Sequence, residues 1–459
     1  MTRDSLATTA FAKATVVKKN TKATKAMKPS GVAWLGDIPE GWEVDKAKRF
    51  FRQTNTRGNA TPTLLAATQK YGMYPQDRLE GVVKVKEETD LQLFKTVHID
   101  DFVISLRSFQ GGFAHSSYEG VCSPAYQTFH ATKVIWPRFY SYLFKSGNFI
   151  QMINSLTVGI REGKNINYCD FAECLMINPP LPEQRTIADY LDEKCGAIDA
   201  AIAEAKKGIE EYKAWKKAII FEAVTGKANV LAAKNAKVAK RQMRDSGIPW
   251  IGEIPEGWEV KPLRRLGRLA NGISKGGEYF GKGFPFVSYS DVYKNDAIPT
   301  QVKGLVEAND QERERYSVKR GDVFFTRTSE TVDEIGIAAA CLKDIQDSTF
   351  AGFLIRFRPM TDELLPEFSK YYFRNKLVSE YFAKELVMVT RASLGQELLK
   401  SLPVFIPPMK EQQAIADYLD EKCAAIDALV AEKEKLIADL EAYKKSLIFE
   451  LVTGKREVA

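Results

Sequence analysis

Glu183–Lys227 reads EQRTIADYLDEKCGAIDAAIAEAKKGIEEYKAWKKAIIFEAVTGK, and Glu411–Lys455 reads EQQAIADYLDEKCAAIDALVAEKEKLIADLEAYKKSLIFELVTGK. The second stretch follows the first at an offset of 228 residues, and 29 of the 45 aligned positions are identical. Apolar side chains recur at Leu191, Cys195, Ile198, Ile202, Ala205, Ile209, Tyr212 and Ile219, in steps of three and four. The copy repeats them at Leu419, Cys423, Ile426, Val430, Ile437, Leu440 and Leu447. That spacing is the seam of a left-handed coiled coil. Pro182 and Pro408 stand at the openings, where a missing N–H costs nothing, and Gly226 and Gly454 follow the last turns, where a left-handed residue ends a helix. Glu183 to Val224 is then a helix of 42 residues, about 63 Å long at about 1.5 Å per residue. Either helix alone would expose an apolar stripe, so the pattern predicts that the two bury their seams against each other within one chain.

A second repeat precedes each helix. Ser30–Val44 reads SGVAWLGDIPEGWEV and Ser246–Val260 reads SGIPWIGEIPEGWEV, with 11 of 15 positions identical. The order is therefore tryptophan motif, variable region, helix, and the same again, a pseudo-twofold internal repeat. The segments are a basic tail (1–29), a first folded domain (30–180), a first helix (181–227), a basic linker (228–245), a second folded domain (246–408), and the second helix with the C-terminus (409–459). Tail and linker share a Lys/Ala composition and Met27 aligns with Met243, so both are expected to be flexible. The variable regions mix strand-like runs (82–85, 102–106, 323–326, 353–357) with helical ones (139–155, 365–387), which reads as α+β. IDDFVIS at 99–105 answers KRGDVFFT at 319–326, and Gly112-Phe113-Ala114 answers Gly336-Ile337-Ala338. Two domains with one scaffold and divergent loops suit one task performed on two targets.

Composition narrows the class. Hydrophobic residues make up 45% of the 459, enough for two or three cores. No run approaches the length of a membrane span, and the N-terminus lacks an apolar block with a cleavage site, so no membrane association and a cytoplasmic location are expected. The six cysteines are scattered singly and there are three histidines, so neither a disulfide framework nor a metal site is encoded. Cys195 and Cys423 read as seam residues. The net charge of +7 is compatible with a polyanion but does not by itself identify one.

Several motifs have plainer readings than their chemistry suggests. Asn178-Pro179-Pro180-Leu181 resembles an adenine methyltransferase turn, yet the fourth residue is not aromatic and the copy has Ile406 in place of the asparagine. It reads as a proline turn into the helix. Asp192-Glu193-Lys194 and Asp420-Glu421-Lys422 contain an acid-x-Lys element of nucleases but lie on the helix, where a solvated charged face is expected. Thr225-Gly226-Lys227 is a helix cap rather than a phosphate loop. What remains is binding chemistry. Arg107, Gln110, His115, Ser116 and Tyr118 lie in the loop RSFQGGFAHSSY, and Arg327, Thr328 and Ser329 occupy the matching place in the second half. Arg161, Lys164 and Asn165, and in the second half Arg391 and Gln396, lie ahead of the proline turns. These are the side-chain types that read base edges or hold phosphates. Trp136, Tyr142, Phe353 and Tyr372 are expected in the core.

With both repeats in view, the doubled SGxxWxGxIPEGWEV motif and the doubled EQxxIADYLDEK…VTGK helix resemble the specificity subunits of type I restriction–modification systems, the HsdS family. The resemblance covers both halves. It implies two target recognition domains, 30–180 and 246–408, separated by an antiparallel pair of spacer helices. It also implies double-stranded DNA with a bipartite, asymmetric site as the ligand. The partners it implies are two modification subunits, which use S-adenosylmethionine, and restriction subunits, which use ATP and Mg. No catalysis and no cofactor would then belong to this chain. Two alternatives remain at this point: the specificity subunit of a combined methylase–nuclease system, and a chain with its own adenine methyltransferase activity.

Overall fold

The seam spelled by the repeat is buried in the computed structural model, which describes residues 25–58, 63–79, 91–105, 112–156, 166–234, 241–248, 251–329, 335–385 and 392–458. The two long helices, Leu181–Val224 (α4) and Met409–Val452 (α11), have 44 residues each. Pro182 falls in the first turn of α4, and α11 begins directly after Pro408. Both ends close alike: Gly226 and Gly454 take φ of 73° and 72°, and Thr225 and Thr453 donate their hydroxyls back to Phe221 and Phe449. The cap predicted at Thr225-Gly226-Lys227 is thus observed.

The compact units do not follow chain order. One comprises Met1–Glu204 with Leu436–Ala459, the other Ala205–Lys435, so each contains part of each long helix. In the first unit Leu191, Cys195, Ile198 and Ile202 share a core with Leu440, Leu447 and Ile448, and Lys444 pairs with Asp199. In the second, Ile219 shares a core with Ile415, Leu419, Cys423 and Ile426, and Lys216 pairs with Asp427. Asp199 and Asp427 are repeat equivalents, as are Lys216 and Lys444. Each ion pair is therefore the other's repeat image.

Among the described residues the first unit has twelve short strands: Met27–Pro29 (β1), Asp37–Pro39 (β2), Glu43–Lys46 (β3), Phe51–Thr54 (β4), Leu65–Thr68 (β5), Gly72–Pro75 (β6), Lys95–Val97 (β7), Phe102–Ile104 (β8), Phe113–His115 (β9), Gly120–Cys122 (β10), Gln127–Ala131 (β11) and Leu175–Asn178 (β12). The helices Pro137–Lys145 (α1), Gly147–Leu156 (α2) and Tyr168–Ala172 (α3) lie between β11 and β12. Its main sheet runs β4-β11-β8-β9, antiparallel throughout. The aromatic residues Phe51, Phe102, Phe129, Phe144 and Phe171 pack between this sheet and the helices, with ring centroids 5.2–6.4 Å apart where they touch. A small satellite core of Leu65, Met73, Val97, Val103, Ala114 and Cys122 lies under the pairs β5–β6 and β7–β10.

The second unit repeats the frame and changes the satellite. Val230–Lys234 (α5) precedes Met243–Asp245 (β13), Glu253–Pro255 (β14), Glu259–Pro262 (β15) and Gly267–Asn271 (β16). Then come Phe280–Val287 (β17), Tyr289–Lys294 (α6), Gly304–Val306 (β18), Asp310–Arg315 (α7), Val323–Thr326 (β19), Thr328–Ser329 (β20), Ala338–Ala340 (β21), Thr349–Phe350 (β22) and Leu354–Pro359 (β23). Pro366–Tyr372 (α8), Lys376–Glu385 (α9), Ala392–Ser393 (β24), Gln396–Ser401 (α10) and Pro403–Ile406 (β25) complete it. The sheet β16-β23-β19-β21 matches the first unit's strand for strand, whereas β18-β17-β22 forms a separate sheet over a larger satellite core that includes Phe286, Val292, Phe324 and Phe350. Asp101 and Asp322 show why the frame recurs. Both are buried, each accepts an N–H three residues upstream (His98, Lys319), and each carbonyl receives the strand that follows (Ser116, Cys341).

Four expectations need correction. With Asp101 and Asp322 aligned, Phe113 answers Ala338 rather than Ile337, because Ile104 pairs with Phe113 while Phe325 pairs with Ala338. The helical runs 139–155 and 365–387 are each broken, at Ser146 and at Asn375. Both residues are buried and turn a side-chain hydrogen bond onto nearby backbone, the Leu143 carbonyl and the Leu377 N–H respectively. The tail and linker are ordered where they meet the motif, as β1 on β2 and β13 on β14. Finally, Asp192 and Asp420 are not merely solvated. Asp192 accepts from Arg138 and from the Tyr142 hydroxyl at 2.6 Å, and Asp420 accepts from Lys370 and the Tyr371 hydroxyl at 2.5 and 2.6 Å. Each joins a domain helix, α1 or α8, to the long helix beside it. The strand-like run 82–85 lies outside the described residues.

The buried Gln184 and Gln412 supply the caps that α1 and α8 lack. Each accepts the N–H just ahead of the helix (Trp136, Leu365) and donates to a carbonyl of its proline turn (Pro179, Pro407). Asn178 is occupied in the same network, accepting from Gln184 and Tyr140.

Lys145, the last residue of α1, is less comfortable. Burial, with Arg138 and Lys444 nearby and Asp192 opposing them, pushes its ammonium down from 10.5 to about 8. A depressed lysine pKa means that the fold disfavours the charged form. The penalty is present in full below pH 8 and is relieved as pH rises toward 10.5. Lys145→Met is expected to stabilise the protein by about 1–3 kcal/mol at pH 7 and by much less at pH 10. Urea midpoints at the two pH values check this.

Candidate nucleic-acid interface

The second unit brings its predicted residues together through backbone pairing. Arg327 is exposed, its N–H donates to the Phe353 carbonyl, and its own carbonyl accepts the Leu394 N–H at 2.7 Å. Beyond it, β20 pairs with β24, Thr328 opposite Ser393 and Ser329 opposite Ala392. Parts of the two stretches that the sequence singled out, 328–329 and 392–393, thus form one ribbon. Gln396 opens α10 and donates to Asn271 Oδ1 at 2.9 Å, joining the end of β16 to it. The Thr328 carbonyl accepts from the Tyr289 hydroxyl. Arg391 lies outside the described residues.

Phe353 departs from expectation. It is 66% exposed, not in the core: it stands one residue before β23, where its carbonyl accepts the Arg327 N–H. Tyr142 and Tyr372 are buried as expected, and Trp136 is partly buried against the first unit's core.

In the first unit Arg107, Gln110, Arg161, Lys164 and Asn165 fall outside the described residues. The remaining three do not present a ligand-facing row. His115 turns inward: its Nε2 meets Asp100 Oδ1 at 2.9 Å and its ring lies 5.3 Å from that of Phe102. Burial pushes the imidazole pKa down, against the carboxylate of Asp100. Ser116 is fully buried and donates to the Tyr118 carbonyl at 2.7 Å, so it braces a turn and cannot reach a groove. Tyr118 remains partly exposed, its ring 5.5 Å from Tyr74 and 6.0 Å from the Arg78 guanidinium.

Tyr118 leads to residues the sequence reading passed over. Tyr74 lies 4.8 Å from Tyr71, and the Lys70 ammonium is 4.8 Å from the Tyr71 ring centre. The β5–β6 hairpin carries this file, and Gly72 seats it: at φ 73° a Cβ there would stand 2.3 Å from the His115 carbonyl oxygen. The stretch His115–Ser116 is therefore the floor beneath the hairpin. The available signal was Tyr71-Gly72-Met73-Tyr74, two aromatics around a glycine turn beside a lysine. Chemically, both units offer exposed aromatic faces with neighbouring cations, a combination able to stack on bases and hold phosphates. Among the described residues no helix is long and apolar enough to cross a membrane, and no cluster of histidine, cysteine and carboxylate residues could hold a metal.

Comparison with known proteins agrees with this doubled frame. Residues 255–438 match the family described as the type I restriction modification DNA specificity domain. The specificity subunit of the type I restriction enzyme EcoKI from Escherichia coli K12 is 26% identical over 453 residues, covering 92% of this chain and 90% of that protein. The MjaVIII specificity subunit of Methanocaldococcus jannaschii is 25% identical, covering 92% and 94%. A chain from a solved type I R-M system shares the fold with a TM-score of 0.64 at 17% identity, covering 91% of this chain and 99% of its own. The HsdS subunit from Thermoanaerobacter tengcongensis does so at 0.51 and 15%, covering 91% and 98%. Over nine-tenths of its length the chain is thus similar to the specificity subunits of type I restriction enzymes.

Proposed function

We propose that the two units read the two halves of a bipartite, asymmetric site in double-stranded DNA, and that the α4–α11 pair sets the interval between the half-sites. The observation that carries this is the doubled frame with unlike satellites. The four-stranded sheet, the glutamine caps and the aspartate joints recur, while β5–β6 and β7–β10 in one unit are replaced by β18-β17-β22 in the other. A shared scaffold positions each reader in the same way, and a changed satellite gives it a different target. On this reading the chain supplies sequence choice and docking for two modification subunits, with restriction subunits joining them. S-adenosylmethionine, ATP and Mg belong to those partners, and the chain by itself transfers no methyl group.

The experiment is to lengthen the helix pair. One heptad added to each helix at matched points keeps the seam in phase and adds about 10 Å at about 1.5 Å per residue, near three base pairs. Methylome sequencing of cells carrying the variant with its modification subunits is expected to show both half-sites unchanged and the gap widened by about three. An active variant with its original gap would rule out the helices as the determinant of spacing.

A further inference from the structure

We propose that the β5–β6 hairpin is the base-reading element of the first unit: Tyr71 packs against a base of one half-site, and Lys70 and Arg78 hold the flanking phosphates. This rests on the specificity-subunit reading and names residues for it. Three features of the hairpin support the assignment. It is a two-stranded antiparallel ribbon, Leu65 opposite Pro75 through Thr68 opposite Gly72, and a ribbon of that width enters a DNA major groove. Its tip is held before any ligand arrives. The Thr68 hydroxyl donates to the Gly72 carbonyl and accepts the Tyr71 N–H, both at 2.9 Å, while Gly72 presses on the His115 carbonyl below. A pinned tip loses little conformational freedom on binding. Lastly, Tyr71 is 49% exposed at that tip, a large ring beside Tyr74 and the Lys70 ammonium.

The tyrosine file gives the tip its direction. Tyr71, Tyr74 and Tyr118 run from the turn back toward β9, with Lys70 at one end and Arg78 at the other. Cations at both ends of an aromatic row suit a strand whose bases meet the rings and whose phosphates pass on either side. A protein partner would meet the same row through apolar contacts and would not depend on salt in the same way. The second unit has a three-stranded sheet where this hairpin would be, so the element can account for one half-site only.

The test selects binding sites for the full-length chain, with its modification subunits, from a pool of randomised duplexes. The wild type is expected to enrich a bipartite motif. Tyr71→Ala is expected to lose roughly five- to 150-fold preference at positions of one half-site and to leave the other intact, with Tyr71→Phe retaining most of it. Lys70→Ala should weaken all sequences alike and reduce the salt slope by about 1. Tyr71 is half exposed, and an unchanged melting temperature would confirm folding. Should Tyr71→Ala misfold, Lys70→Ala still reports through its salt slope. An unchanged motif and slope, or equal damage to both half-sites, would overturn the proposal. A loss confined to assembly with the modification subunits would make the hairpin a protein contact and overturn it as well. Absence of any bipartite motif with the wild type would sink the functional reading itself, and the hairpin proposal with it.

Discussion

Glu411→Ala is expected to destabilise the protein by about 3–5 kcal/mol, whereas Glu183→Ala, the same substitution at the repeat-equivalent residue, should cost about 1–2 kcal/mol. Both glutamates open a long helix and both accept from a buried indole, Trp258 at 3.0 Å and Trp42 at 2.9 Å. Their second partners differ. Glu411 is paired with Arg241, and the two side chains are only 9% and 16% exposed. The guanidinium also lies over the Trp258 ring and within reach of the Gly226 and Ala228 carbonyls. Burial already pushes the Arg241 pKa down, so removing its carboxylate strands a cation in a poorly solvated place. Glu183 pairs with Lys25, at 34% and 45% exposure, where water can take over. Urea unfolding of the two single variants measures the difference, and equal losses would contradict it. Adding Arg241→Met to Glu411→Leu should recover part of the loss, because an apolar pair leaves no unpaired charge.

Gly454→Val is expected to cost about 2–5 kcal/mol, from a left-handed backbone that a β-branched residue resists and from overpacking. Gly454 has φ 72°, and a Cβ there would stand 2.4 Å and 2.6 Å from Pro39 and 3.1 Å from Trp42. Gly31 provides the control. It has the same φ of 72° with nothing within 4 Å, so Gly31→Val should show the backbone term alone, about 1–2 kcal/mol. Thermal unfolding of the pair separates the two contributions: a unit of this size should lose roughly 2–4 °C per kcal/mol. Equal melting temperatures would mean that the glycine's contact with the tryptophan motif is not tightly packed. The same test applies to Gly226, which meets Pro255 and Trp258 in the second unit.

These two predictions concern one arrangement. Each tryptophan motif holds the beginning of the helix that follows its own domain and the end of the other long helix. Trp42 binds Glu183 and faces Gly454; Trp258 binds Glu411 and faces Gly226. The motif is therefore a joint between helix ends, which explains why Trp42 and Trp258 are buried.

Much of the candidate interface could not be read from sequence for a related reason. The long helices were legible because period, proline and glycine caps and duplication all report on local geometry. Side-chain types within a loop do not report which way a side chain turns. Ser116 and His115 have the chemistry of DNA-contacting residues, yet the strand pairing of β8 with β9 and the turn at Asp100–Asp101 point them inward. Phe353 was assigned to the core for its hydrophobicity, and its place one residue before β23 left it outside. Tyr71 and Tyr74 became visible as a row only once β5 and β6 were seen to pair in register.

The sequence by itself determined the two seams, their need to bury each other, the doubled order of motif, domain and helix, and the absence of any apolar span, because these follow from periodicity and repetition along the chain. Tertiary structure decided the rest. Only in three dimensions do the first part of α4 and the last part of α11 belong to one unit, and do identical residues such as Glu183 and Glu411 acquire different partners and burial. Burial and partner geometry are set by segments more than a hundred residues apart, Trp42 with Glu183 and Arg241 with Glu411, and no local pattern encodes such distances.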